Sequence, residues 1–191
     1  MLIIYAHPNK LGHCGLVLSE VKKGLEEKKV PFEVLDLYEM GYDPVMRPEE
    51  HYTSGNSEVS EENQKIQEMI KNEDRFIFIY PTWWNGPPAI LKGFLDRVML
   101  PRFAFVYEGG LPKPLLKGKA VVFTSTGAPR FVARWYFKDG SLKMLTRDVL
   151  RFCGIRSMGF VIDRATKMSK RQEEKVTKTV LKGLKFLTKK S

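Results

Sequence analysis

The chain has 191 residues, 43% of them hydrophobic and 28% charged, with a formal net charge of +10. That length and apolar fraction suit a single domain over 1–191 with a sizeable core, and they exclude a low-complexity or disulfide-dense chain. No apolar stretch approaches membrane-spanning length, and Leu2-Ile3-Ile4-Tyr5 is too short, and lacks the basic leader, for a signal peptide. The expectation is a cytoplasmic, soluble protein. Cys14 and Cys153 form neither a metal-ligand spacing nor a disulfide framework, so no metal site is expected.

In chain order, Leu2 to Tyr5 predicts a first strand, and the loop from His7 to Cys14 leads into a helix over 15–28. A second strand runs from Phe32 to Leu37. Residues 38 to 59, rich in Gly, Pro, Ser, Asn and acids, predict a long excursion, a length that is usually functional or mobile. Ser60 reads as the N-cap of a helix with acids in its first turn. Phe76-Ile77-Phe78-Ile79-Tyr80 predicts a strand buried on both faces. An aromatic loop with Trp83 and Trp84 follows, then a helix with Ile90, Leu91, Phe94, Leu95 and Val98 on one side.

Residues 99 to 118 predict a second long connection, and Lys119 to Thr124 a fourth strand. After the turn at Ser125 to Pro129, a helix over 142–153 ends at Gly154, and Ile155 to Ile162 gives strand five. The last segment is cationic: from Arg164 to Lys190, ten Lys/Arg face only Glu173 and Glu174. Val176, Val180, Leu184 and Leu187 recur there at helical spacing, so the bland expectation is a surface helix with its lysines in water. Attraction of an anionic cofactor or contact with an acidic partner are the sharper readings. Nucleic-acid binding is not expected from a basic helix without a recognised module. Strands alternating with helices define an α/β protein with a parallel sheet and helices on both faces.

In such a sheet the loops after strands one, three and four share the carboxyl edge, where ligands bind. The first, with His7, Asn9, Lys10, Gly12, His13 and Cys14, opens a helix N-terminus whose free N–H groups favour a phosphate. The second, Pro81, Thr82, Trp83, Trp84 and Asn85, offers a flat apolar wall. The third, Ser125, Thr126, Gly127 and Ala128, is small enough for its backbone N–H groups to approach a ligand. Taken alone, the tryptophans are as readily core or interface aromatics as a ligand wall, His7 is more often a structural histidine, and Ser-Thr-Gly is an ordinary turn. Together they describe a flavin mononucleotide site at the switch point of a sheet ordered 2-1-3-4-5. Neither a G-x-x-x-x-G-K-[ST] nor a G-x-G-x-x-G signature competes.

Ala6-His7-Pro8, Pro81-x-Trp-Trp with Pro88-Ala89-x-Leu-Lys-Gly-Phe-x-Asp-Arg97, and Ser125-Thr126-Gly127 resemble the flavodoxin-like NAD(P)H:quinone oxidoreductases. That group includes DT-diaphorase and the ancillary subunits of potassium efflux systems. The resemblance implies a flavodoxin-like fold, FMN with FAD as the alternative, NAD(P)H as co-substrate and a homodimer with active sites at the subunit boundary. It also implies two-electron, ping-pong reduction of a quinone-like acceptor. By the same resemblance, Phe105 and Tyr107 line the substrate pocket, and Tyr107 and Tyr136 are the catalytic candidates. The chain departs from the family at Gly12, His13, Cys14 and Ala128, where Ser, Phe, Asn and Gly are usual. A second reading is a flavin-binding regulatory subunit in peripheral contact with a membrane transporter. A single-electron carrier fits poorly, because flavodoxins are typically acidic.

Overall fold

In the computed structural model, which describes residues 1–51, 53, 54 and 58–189, five parallel strands form one sheet in the order β2-β1-β3-β6-β7. These are β1 (Leu2–Tyr5), β2 (Glu33–Asp36), β3 (Arg75–Pro81), β6 (Gly118–Ser125) and β7 (Ile155–Ile162). Counting only sheet strands, this is the expected 2-1-3-4-5. The register sets Tyr5 beside Ile79 and Tyr80 beside Thr124, so β1, β3 and β6 end at one level.

Strand β3 shows why its run is continuously apolar. Phe76, Phe78 and Tyr80 face a core shared with α2 (Glu61–Lys71), α3 (Ala89–Val98) and the helical stretch beyond β6. Ile77 and Ile79 face the opposite core, under α1 (His13–Glu27) and α5 (Lys170–Thr188). Alternation along a strand makes these two faces, and each must be covered by helices. Each fully buried Phe or Ile contributes about 1.5–3 kcal/mol relative to exposure. In the cationic C-terminal segment, α5 buries Val176, Val180, Leu184 and Leu187 as the spacing predicts and keeps its lysines outward. Lys190 and parts of the 38–59 excursion lie outside the described residues. Ser60 caps α2 as expected, accepting from Asn63 N–H at 3.3 Å.

Three segments differ from expectation. Residues 99–118 hold an antiparallel hairpin of β4 (Phe105–Glu108) and β5 (Leu111–Pro114), turned at Gly109 and Gly110, both at positive φ. Its two prolines and open exposure disguise it as a loop; prolines are tolerated on such an edge. The helix after β6 begins at α4 (Gly140–Lys143), and continues as π-helical turns over Met144–Arg151. A further π-helical turn covers Val132–Tyr136. The long excursion is pinned rather than loose. Pro44 packs its carbonyl against Gly93 of α3, where a Cβ would sit 2.1 Å from the oxygen. One turn on, Arg97 is buried against Glu50 of a 3-10 turn (Pro48–Glu50). Among the described residues no helix is long and apolar enough to cross a membrane.

Candidate active site at the carboxyl edge of the sheet

The loop after β1 is held by its own side chains. Asn9 Oδ1 accepts from Leu11 N–H at 2.7 Å, and His7 Nδ1 accepts from Asn9 N–H at 3.0 Å. His7 therefore uses Nδ1 as an acceptor and carries its proton on Nε2 when neutral. Gly12 is the N-cap, so the helix starts at His13, two residues earlier than its periodicity suggests, and no side chain caps it. The N–H groups of His13, Cys14 and Gly15 find no acceptor among the described residues. The carbonyl of Lys10 lies directly over Gly15, where a Cβ would come within 1.7 Å of its oxygen. Only glycine permits that fold-back, which lays the loop across the helix start.

Lys10 is engaged elsewhere. Its ammonium pairs with Asp36 at 2.9 Å and with Glu39, so its charge is offset by two carboxylates at the end of β2. Cys14 is buried, with Sγ 3.2 Å from Ser125 Oγ, and burial pushes its thiol up to about 11. It joins the start of α1 to the end of β6. His13 is buried as well; burial lowers its pKa, and its Nε2 has no hydrogen-bond partner among the described residues.

The aromatic loop is a two-residue reverse turn. Trp83 and Gly86 exchange both backbone hydrogen bonds at 2.9 Å, and the central residues Trp84 and Asn85 take φ of 50° and 58°. Two consecutive left-handed residues make this a type I′ turn, a geometry that favours Asn-Gly. A tryptophan there costs about 1–2 kcal/mol in backbone strain. Trp84 is wholly exposed despite that cost, while Trp83 stands half-exposed with its ring 6.1 Å from that of His7. Asn85 Nδ2 donates to the Phe137 carbonyl at 3.1 Å and ties the turn to the π-helical segment. Strained backbone carrying an exposed aromatic is characteristic of ligand sites.

Below the turn, Thr82 and Thr124 hydroxyls meet at 2.8 Å, and Thr82 N–H donates to Ser125 O at 2.7 Å. In the third loop, Thr126 N–H is spent on Ile162 O and Ala128 N–H on Thr126 Oγ1 at 3.3 Å. This leaves Gly127 N–H as the one of the three without an acceptor among the described residues. Between the second and third loops lies a cavity of about 330 Å³, with Thr82, Trp84, Asn85 and Thr126 among its walls. Phe137, Asp139 and Ser141 close its far side. Asp139 is fixed by Arg130 through two bonds of 2.7 and 3.0 Å. Ser141 is buried with its hydroxyl unpartnered among the described residues. Sequence reasoning missed these three residues, because nothing in the run 130–142 signals a π-helical turn folding back over the sheet edge.

The structure brings together the loops bearing His7, Trp83 and Ser125, but it places the tyrosines differently. Tyr136 lies on the π-helical turn, exposed beside Phe137 at 5.0 Å. Tyr107 is exposed on the hairpin and packs edge-on against Phe105 at 5.6 Å. Phe105 lines a separate cavity of about 430 Å³ with Leu95, Met99 and Phe152, and no described residue lines both cavities. Within one chain, then, the hairpin does not cover the loops.

An open parallel sheet with ligand-ready loops at its switch point defines a flavodoxin-like architecture. The chain belongs to the flavodoxin-like fold family, whose model matches residues 1–185. It is 35% identical over 162 residues to an uncharacterized NAD(P)H oxidoreductase of Haemophilus influenzae, covering 83% of this chain and 80% of the relative. It is 30% identical over 205 residues to the mouse ribosyldihydronicotinamide dehydrogenase [quinone], covering 92% and 86%. A solved NAD(P)H:quinone oxidoreductase from Methanothermobacter marburgensis superposes with a TM-score of 0.85 at 25% identity, covering all of this chain and 96% of that one.

Proposed function

We propose that the chain is an NAD(P)H-dependent flavoprotein oxidoreductase that reduces quinones or similar flat acceptors, with FMN as its cofactor. The observation that carries this reading is the convergence of three loops at one sheet edge, with a cavity walled by Trp84 between the second and third. The residues fit the cofactor part by part. The unpaired N–H groups at the start of α1, under the loop that Gly15 admits, suit a phosphate. Lys10 acts on this loop indirectly, by tethering it to Asp36 and Glu39. His7, Asn9, Gly12, His13 and Cys14 shape the phosphate and ribityl end; Pro81, Thr82, Trp83, Trp84 and Asn85 wall the ring. Ser125, Thr126, Gly127 and Ala128 face its polar edge, where Gly127 N–H is the donor available to developing negative charge.

When bound, FMN would supply the hydride chemistry, with NAD(P)H as donor and the quinone as acceptor. The nicotinamide and the quinone use the same open face in turn, which makes the kinetics ping-pong. Tyr136 adjoins Phe137 of the cavity wall, and its exposed hydroxyl would donate a hydrogen bond to the acceptor oxygen. Phe105 and Tyr107 complete the pocket from a second copy of the chain, since their hairpin lies apart from the loops of its own chain. The homodimer is therefore the catalytic unit.

The deciding experiment is the colour of the purified protein and the mass of its released cofactor, which also separates FMN from FAD. Trp83→Ala is expected to release the flavin during purification. A colourless protein that cannot be reconstituted with either flavin would sink the proposal.

A further inference from the structure

A second polar feature adjoins the site. Beyond Ser125–Ala128, the chain ends β7 and enters α5 through a segment stitched to the third loop. Arg164 N–H donates to Ala128 O at 3.1 Å, and Ala165 N–H to Thr126 O at 2.9 Å. From this stitch an open groove of about 770 Å³ runs along the first half of α5. Its walls carry Arg164, Arg171, Lys175, Lys178 and Lys182 against the carboxylates Asp163 and Glu174. Asp163 is satisfied by Lys175, and their ion pair anchors the helix to the end of β7. Arg164, Arg171, Lys178 and Lys182 have no acidic partner among the described residues.

The geometry of these cations is directional. Arg171, Lys175, Lys178 and Lys182 are spaced by four, three and four residues, so they form one stripe along about 16 Å of helix. Arg164 stands at the end nearest the flavin loops, held in the left-handed backbone region at φ 54°. Gln172 sits in the groove wall with its amide nitrogen bonded to the carbonyls of Asp163 and Arg164, at 3.1 and 3.3 Å. Its Oε1 is buried without a partner among the described residues, an acceptor suited to a hydroxyl. Solvation alone explains lysines on a convex face. It does not explain four unpaired cations and an orphan acceptor in one groove that begins where the cofactor's polar edge is expected.

We propose that this groove binds the phosphates of the reduced dinucleotide, the pyrophosphate near Arg171 and the 2′-phosphate of NADPH between Lys178 and Lys182, so that the chain prefers NADPH to NADH. This rests on the oxidoreductase reading above and adds the coenzyme's identity. With the nicotinamide on the open ring face, the rest of the dinucleotide leaves past Gly127 and Arg164 and follows the stripe. A 2′-phosphate adds charge that only NADPH carries, and the paired ammonium groups of Lys178 and Lys182 reward it.

The test compares flavin reduction by NADPH and by NADH in the wild type and in an Arg171→Ala/Lys178→Ala double variant. The wild type should favour NADPH, and the variant should lose about tenfold of that preference, the effect of removing one charge-assisted hydrogen bond. Flavin content and the KM for the quinone should stay at wild-type values. No NADPH preference in the wild type, or an unchanged preference in the variant, overturns the inference. Calorimetric titration with adenosine 2′,5′-bisphosphate needs no flavin, so it separates failure of the groove from failure of the oxidoreductase reading. Binding to the wild type that weakens in the variant supports the groove even if the chain proves flavin-free. A short DNA duplex binding as tightly as the bisphosphate would overturn the proposal, by showing a general polyanion surface.

Discussion

The Arg97 guanidinium lies across the Glu50 carboxylate in a buried fork, with Nη2 at 2.6 Å from Oε1 and Nε at 2.9 Å from Oε2. Arg97 Nη1 also donates to the Asp43 carbonyl, and its Cζ sits 5.6 Å from the centroid of the Tyr42 ring. One side chain of α3 thus fastens the excursion at both Asp43 and Glu50. Arg97→Ala leaves a buried carboxylate without its partner and should cost about 3–5 kcal/mol. Urea unfolding measures the loss, and faster proteolysis within 38–59 locates it.

The same pair sets an acid limit. Burial alone would raise the Glu50 pKa, but the Arg97 hydrogen bonds outweigh it and hold the carboxyl below its ordinary value. A depressed folded pKa means the contribution is fully present above the unfolded value and is lost as pH falls through the folded one. The urea midpoint should therefore drop on acidification below the ordinary carboxylate range. Glu50→Gln should flatten that part of the profile; an equal slope in both proteins would remove Glu50 from the account.

Gly15→Ala should act on cofactor retention more than on folding. The added methyl meets the Lys10 carbonyl, so the loop must lift from the helix start. We expect a melting temperature within a few degrees of wild type, as a shift of about 1 kcal/mol would give, with most flavin lost on dialysis. Full flavin content would show that the fold-back is not part of the phosphate site.

Trp84→Gly separates strain from function. Glycine takes the left-handed turn without penalty, so stability should hold or rise by about 1 kcal/mol. Acceptor reduction should fall, because the cavity loses its aromatic wall. A stable variant with wild-type kinetics would assign the strained tryptophan to some other task.

Mixing two defective chains tests the shared site. Trp83→Ala damages a ring wall, and Tyr107→Ala damages a hairpin. After unfolding and refolding together with flavin, half the dimers should be mixed, each with one intact site, giving about a quarter of wild-type activity. No recovery above the separate variants would place Tyr107 in its own chain's site.

Much of the architecture was legible because burial on both faces leaves a continuous apolar run, as at Phe76 to Tyr80, and strands alternate with amphipathic helices. The three loops followed from that alternation alone. The hairpin was not legible, since Leu111–Pro114 pairs on an exposed edge and carries no buried alternation. Nor was the far wall of the cavity. Phe137 reaches it at the end of a π-helical turn, whose periodicity differs from that of an α-helix, and Ser141 from the short α4 beyond it. Lys10 shows the remaining gap: a loop lysine near a helix start suggests a phosphate partner, but Asp36 and Glu39 hold it by contacts remote in sequence.

The Cys14–Ser125 contact carries a consequence for chemical modification. Both Cys14 and Cys153 are buried and raised to about 11, so at neutral pH they are thiols rather than the reactive thiolates. Neither should react with an alkylating reagent while the fold is closed. Cys14 lies where α1, β6 and two ligand loops meet, and Cys153 on the opposite face near the hairpin. Their separate labelling rates therefore count how often each side of the sheet opens, and bound flavin should slow the first clock while leaving the second running.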